Sequence, residues 1–139
     1  MNNSKAQTMS AENYIKEVQA AIQCMEHLNF GSTLKNLMKW RGVSKNTLSD
    51  LLGSSPKTIQ RMRSSEQCSA SKQTIIAICV ILQLPAPASR CFLQIAGYQM
   101  GYTSEDIMYD LILNHHYQDG ISACNTFLTS QGFMPLTNS

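Results

Sequence analysis

RGVSKNTLSDLLGSSPKTIQRM, residues 41–62, decides the fold of this chain, because it encodes two short amphipathic helices with a glycine turn between them. Ser44 caps the first, its hydroxyl oxygen accepting from first-turn backbone N–H groups that otherwise have no partner. The helix runs to about Leu52, and Leu48, Leu51 and Leu52, three and four apart, form its buried stripe. Gly53 supplies the left-handed conformation that ends a helix. Ser55 and Pro56 then read as the cap and first residue of the next one. In that second helix Ile59 and Met62 face inward, and at about 100° per residue this turns Lys57, Gln60, Arg61 and Ser64 outward.

Helices joined by so short a turn cross steeply, so the second projects as a rod of the width a DNA major groove admits. At these residues the chain resembles the lambda-repressor and Cro-like (XRE-type) helix-turn-helix family, common among bacterial and phage regulators. The resemblance covers about residues 34–84. It takes in Leu34, Leu37 and Met38 as a preceding helix, then Gly42, Val43 and Ser44, then the framework of Leu48, Leu52, Gly53 and Ile59. Residues 71–84, SKQTIIAICVILQL, are similar to the family's fourth helix, with Thr74, Ile75, Ile78, Leu82 and Leu84 at its apolar and turn positions. The chain departs from the pattern in places. Ser49 stands where the family usually has Ala, Ser54 where it has an apolar residue after the turn glycine, and Arg63 where it often has Glu. Pro56 takes a position that often carries a base- or phosphate-contacting side chain. The resemblance implies an all-α, lambda-repressor-like fold with an added N-terminal helix and a C-terminal helical extension. It also implies a transcriptional regulator that binds double-stranded DNA sequence-specifically through residues 56–64.

Charge placement agrees with that expectation. The chain of 139 residues carries a net charge of only +2, but residues 34–72 hold eight cations (Lys35, Lys39, Arg41, Lys45, Lys57, Arg61, Arg63, Lys72) against Asp50 and Glu66, a net +6. The remainder is net −4. A duplex is a dense line of phosphates, so a locally basic face is the expected footprint of a DNA binder. Lys57 and Arg61, one turn apart, are the candidate base readers, since a guanidinium can donate two hydrogen bonds to a guanine edge. Ser44 and Lys45 open the first motif helix, where N–H groups and a cation hold a phosphate, and Thr58 and Gln60 flank the reading face. Ser55 belongs to the same set, although for Ser44 and Ser55 capping alone is sufficient reason for a serine. Arg63 adds charge near the DNA.

Residues 1–9 are polar and without apolar spacing, and are expected to be disordered. An amphipathic N-terminal helix follows within 10–30, with Tyr14, Val18, Ile22 and Met25 at helical spacing. The helix-turn-helix domain is expected over 31–86 and the helical extension over 87–139. Ile75 to Leu82 is apolar all round, so a second layer must cover it. The extension is the expected cover. Its helices read as Ala88 to Ala96, Ser104 to about Asn114, started by a Thr103/Asp106 capping box, and Asp119 to about Ser130. Phe92, Leu93, Ile95, Ile107, Leu111, Ile112, Ile121, Phe127 and Leu128 would supply their buried faces.

Other chemistry is weakly represented. The five cysteines form no close pair, which suits a reducing cytoplasm, and His115, His116 and Cys124 lack the paired spacing of a zinc site. No phosphate-binding glycine loop or paired-carboxylate motif points to an enzyme or a cofactor. No apolar run is long enough to span a bilayer, and no secretory signal is legible. One module reads one half-site, so a homodimer is expected. The open alternative is a protein-interaction module, an adaptor or antitoxin-like protein, that binds a partner through the C-terminal helices.

Overall fold

A computed structural model of the protein describes residues 10–25 and 29–138. Among them are eight helices and no strand: α1 (Ala11–Gln23), α2 (Phe30–Arg41), α3 (Lys45–Leu52), α4 (Pro56–Arg63), α5 (Lys72–Ile81), α6 (Ala86–Ile95), α7 (Ser104–His115) and α8 (Ile121–Ser130). The protein is therefore all-α. Capping chemistry sets most of the starts. Ser10, Asn29, Ser44, Ser55, Ser71 and Thr103 each accept from the backbone N–H three residues on, at 2.9–3.2 Å. Gly42 and Gly53 end α2 and α3 with φ of +76° and +73°, a conformation costly for residues with a Cβ.

The expected disorder of residues 1–9 and the stretch 26–28 lie outside the described residues. Within them, the N-terminal helix is shorter than the sequence suggests, ending at Gln23. Asn29 must take an extended backbone, φ −80° and ψ 179°, to cap α2, so one helix cannot run through 30.

α4 seats against α2 through backbone. The first N–H groups of α2, at Phe30 and Gly31, donate to the carbonyls of Glu66 and Ser65 just beyond α4, at 3.1 and 2.8 Å. A Cβ at residue 31 would collide with the carbonyl oxygens of Arg63 and Ser65, so only glycine allows this approach. α3 crosses α4 with Leu48 and Ser49 buried. Ser49 directs its hydroxyl to the Asn46 carbonyl at 2.9 Å, so the small residue at the crossing leaves no polar group unsatisfied. Leu51, expected in the buried stripe, is exposed instead, because Ser49 occupies the inner position beside Leu48.

α5 is the central rod. Ile75, Ile76, Ala77, Ile78, Cys79 and Val80 are all buried, enclosed by α3 together with α6, α7 and α8. Phe30 of α2 stacks on Phe92 of α6 at 5.6 Å between ring centroids, joining the first layer to the extension. Two polar ties complete the junction. Arg41 donates to the carbonyls of Leu82 (2.7 Å) and Gln83 (2.8 Å) and pairs with Glu17 of α1 (2.8 Å). Lys72 pairs with Asp106 at 2.7 Å.

α7 is rotated from its sequence reading. Ile107 and Leu111, expected inside, are exposed, Ile112 is buried as expected, and Asp106, Tyr109 and Leu113 are buried in place of the other two. Asp106 is drawn inward because its carboxylate accepts from Gly101 N–H (2.8 Å) as well as Lys72, while its own N–H donates to the Thr103 cap at 3.1 Å. Asp119 does not cap α8 either. It pairs with His116 at 2.9 Å, and Gly120, at φ +96°, begins the helix.

Candidate nucleic-acid interface

α4 has four sides, and its residues fall on them as 100° steps dictate. Ile59 and Met62 are buried. Lys57, Gln60, Arg61 and Ser64 are exposed on the opposite side. Gln60 reaches Ser64 at 3.4 Å, and neither Lys57 nor Arg61 forms an ion pair among the described residues. The cationic outer face is thus free of counter-charges. Ser55 and Thr58 bond each other through their hydroxyls at 3.1 Å while Ser55 caps the helix. Their polar groups are largely spent on holding the first turn, and Pro56 presents no donor there.

Arg63, 120° round from Lys57 by the same stepping, lies elsewhere. With Lys35, Lys39, Lys45 and Ser44 it lines a cleft of about 370 Å³, floored by Met38 and Val43. Four cations converge on this cleft, and none is ion-paired among the described residues. The Nε of Arg63 is buried without a hydrogen-bond partner. Like charges gathered this way repel unless an anion joins them, so the cleft has the chemistry of a phosphate seat. Ser44 contributes its place at the N-terminus of α3, although its hydroxyl is engaged with Thr47, accepting from N–H at 3.1 Å and bonding Oγ1 at 3.0 Å.

The eight site residues read from the sequence therefore divide. Lys57, Gln60 and Arg61 share the outer face, Ser44, Lys45 and Arg63 share the cleft, and Ser55 and Thr58 form the cap between α3 and α4. Lys35 and Lys39 join the cleft without having been singled out. Their signal was present in the sequence as two lysines four apart on one exposed side of α2. Two of the eight clustered cations do not belong: Arg41 and Lys72 are consumed by the ties to α1, α5 and α7.

Residues 33–86 match the Cro/C1-type HTH DNA-binding domain. The Cro/C1-type segment spans most of α2, all of α3, α4 and α5, and the residues up to the start of α6. That family is one of DNA-binding domains, and α1 and the helices beyond α6's first residue lie outside the match. No curated protein and no solved structure matches the chain.

Competing chemistry finds little support at the other marked residues. Among the described residues, no group of three or more His, Cys, Asp or Glu side chains is placed to hold a metal ion. Cys124 is buried, its thiol directed at the His116 carbonyl at 3.5 Å, and burial pushes it up to about 12, as it does Cys79. Such thiols are not nucleophiles at neutral pH. No helix among the described residues is long and apolar enough to cross a membrane.

Proposed function

We propose that the protein is a cytoplasmic, non-enzymatic transcriptional regulator that binds specific double-stranded DNA, lays α4 in the major groove and acts as a homodimer on a two-part site. The observation that carries this reading is the unpaired cationic outer face of α4, continued by the four-cation cleft on its flank. Lys57 and Arg61 read base edges, Gln60 adds a polar contact, and Lys45, Arg63, Lys35 and Lys39 hold backbone phosphates. Ser44, Ser55 and Thr58 fix register by holding the helix starts.

Selection of bound fragments from a random duplex pool supplies the site, and anisotropy measures affinity for it. Changing Lys57 and Arg61 together to Ala removes preference for that site over random DNA while the thermal transition stays unchanged. Retained preference in this variant defeats the assignment of the readers.

A second reading draws on α7, where Ile107 (55% exposed) and Leu111 (37% exposed), one turn apart, present an apolar strip to solvent. It fits a protein contact, as the dimer surface or as the seat of an adaptor's partner. Replacing both by Gln converts a dimer to a monomer under the first role. Under the second it leaves mass and DNA binding unchanged.

A further inference from the structure

Beneath the other flank of α4 lies a cavity of about 320 Å³ whose lining shares Thr58 and Arg61 with the DNA-binding reading. Its volume is within the roughly 300–1,000 Å³ typical of small-molecule sites. Leu52, Met62 and Leu136 give it apolar walls, and Arg61 and Ser54 are among its polar lining. Three observations mark it as a built site.

The wall formed by the C-terminal segment is fixed. Leu136 is 3% exposed, its N–H donates to Asn125 Oδ1 at 2.7 Å, and the Pro135 and Leu136 carbonyls accept from Gln73 Nε2 at 2.9 and 3.2 Å. The cavity is therefore preformed. Next, the Ser54 hydroxyl, in the same lining, is buried with no hydrogen-bond partner among the described residues. A buried hydroxyl without a partner is unfavourable unless something else completes it. Finally, Arg61, which forms no ion pair among the described residues, is part of the same lining.

We propose that this cavity binds a small organic monoanion with a compact apolar body, of the size class of a medium-chain carboxylate. The body fills the space among Leu52, Met62 and Leu136, and the carboxylate pairs with Arg61. Its regulatory consequence rests on the reading above: a bound anion holds Arg61 away from the base edge, so ligand and DNA weaken each other by the same factor.

Octanoate is the probe, and backbone amide NMR without DNA is the first readout, so its failure is separable from failure of the DNA-binding reading. Saturable shifts confined to the cavity lining are expected. Ser54→Leu fills the cavity, is expected to fold at least as stably as the parent, and abolishes those shifts; Ala70→Phe fills it from another wall. Arg61→Gln weakens octanoate roughly tenfold, the scale of one lost charge-assisted hydrogen bond, but leaves uncharged octan-1-ol unaffected. Absence of saturable shifts, or equal shifts in a folded cavity-filled variant, overturns the site. Octanoate binding that leaves DNA affinity unchanged overturns the coupling.

Discussion

Asp106 shows what a single residue does here that its neighbours in sequence do not announce. Next to Thr103 it reads as half of a capping box, yet its carboxylate meets Lys72, 34 positions earlier, and the Gly101 N–H. Hydrogen bonding to the Lys72 ammonium, first among several causes, holds Asp106 below its ordinary value of 3.8. A carboxyl depressed in the folded state adds stability that is present above the unfolded value and lost as pH falls through the folded one. Asp106→Asn is therefore expected to lower unfolding free energy by about 1–3 kcal/mol at neutral pH. The variant should also lose less than the parent between about pH 5 and pH 2, as urea unfolding across that range would reveal. A parent and variant that lose stability in parallel would show that the pair contributes nothing. Arg41 and Lys72 were counted with the DNA-facing charge because their partners are distant in sequence, and local spacing carries no trace of them.

Elements were more legible than residues, because helix starts and stops depend on chemistry within four positions. Ser44, Gly53, and Ser55 with Pro56 mark α3 and α4 from the sequence alone, and the structure uses them as caps, terminator and first helical residue. The rotation of α7 and the docking of α4 on α2 were hidden, since both depend on groups that only the fold brings near. Gly31 is the clearest case. Inside a helix it reads as a mild liability, but its missing Cβ admits the Arg63 and Ser65 carbonyls. Gly31→Ala should cost about 1–3 kcal/mol, the range of core overpacking, where a helix-interior Gly→Ala otherwise stabilises. Because the strain falls at the end of α4, affinity for the selected DNA site should drop as well. A rise in melting temperature would show that α4 yields to the added methyl without strain.

Across the whole molecule, the basic charge concentrated in one segment is divided between two tasks. Arg41 and Lys72 clasp the Cro/C1-type domain to α1 and the C-terminal helices, while Lys35, Lys39, Lys45, Lys57, Arg61 and Arg63 have no ion pair among the described residues. Those six lie on two surfaces of different chemical character. On the proposed reading the outer helix face meets base edges, whereas the cleft of converging cations meets phosphate, which is the same in every sequence. The two surfaces should therefore fail in different ways. Changing Lys35 and Lys39 to Ala should weaken selected and random duplexes equally, and each lost phosphate contact should make the dependence of log K on log salt shallower by about 0.9. The Lys57 and Arg61 changes should instead erase the difference between the two duplexes. Anisotropy titrations at several salt concentrations, run on both variants with both duplexes, compare the two patterns directly. An unaltered salt slope in the Lys35 and Lys39 variant would place the cleft away from the nucleic acid and leave its four gathered charges to some other anion.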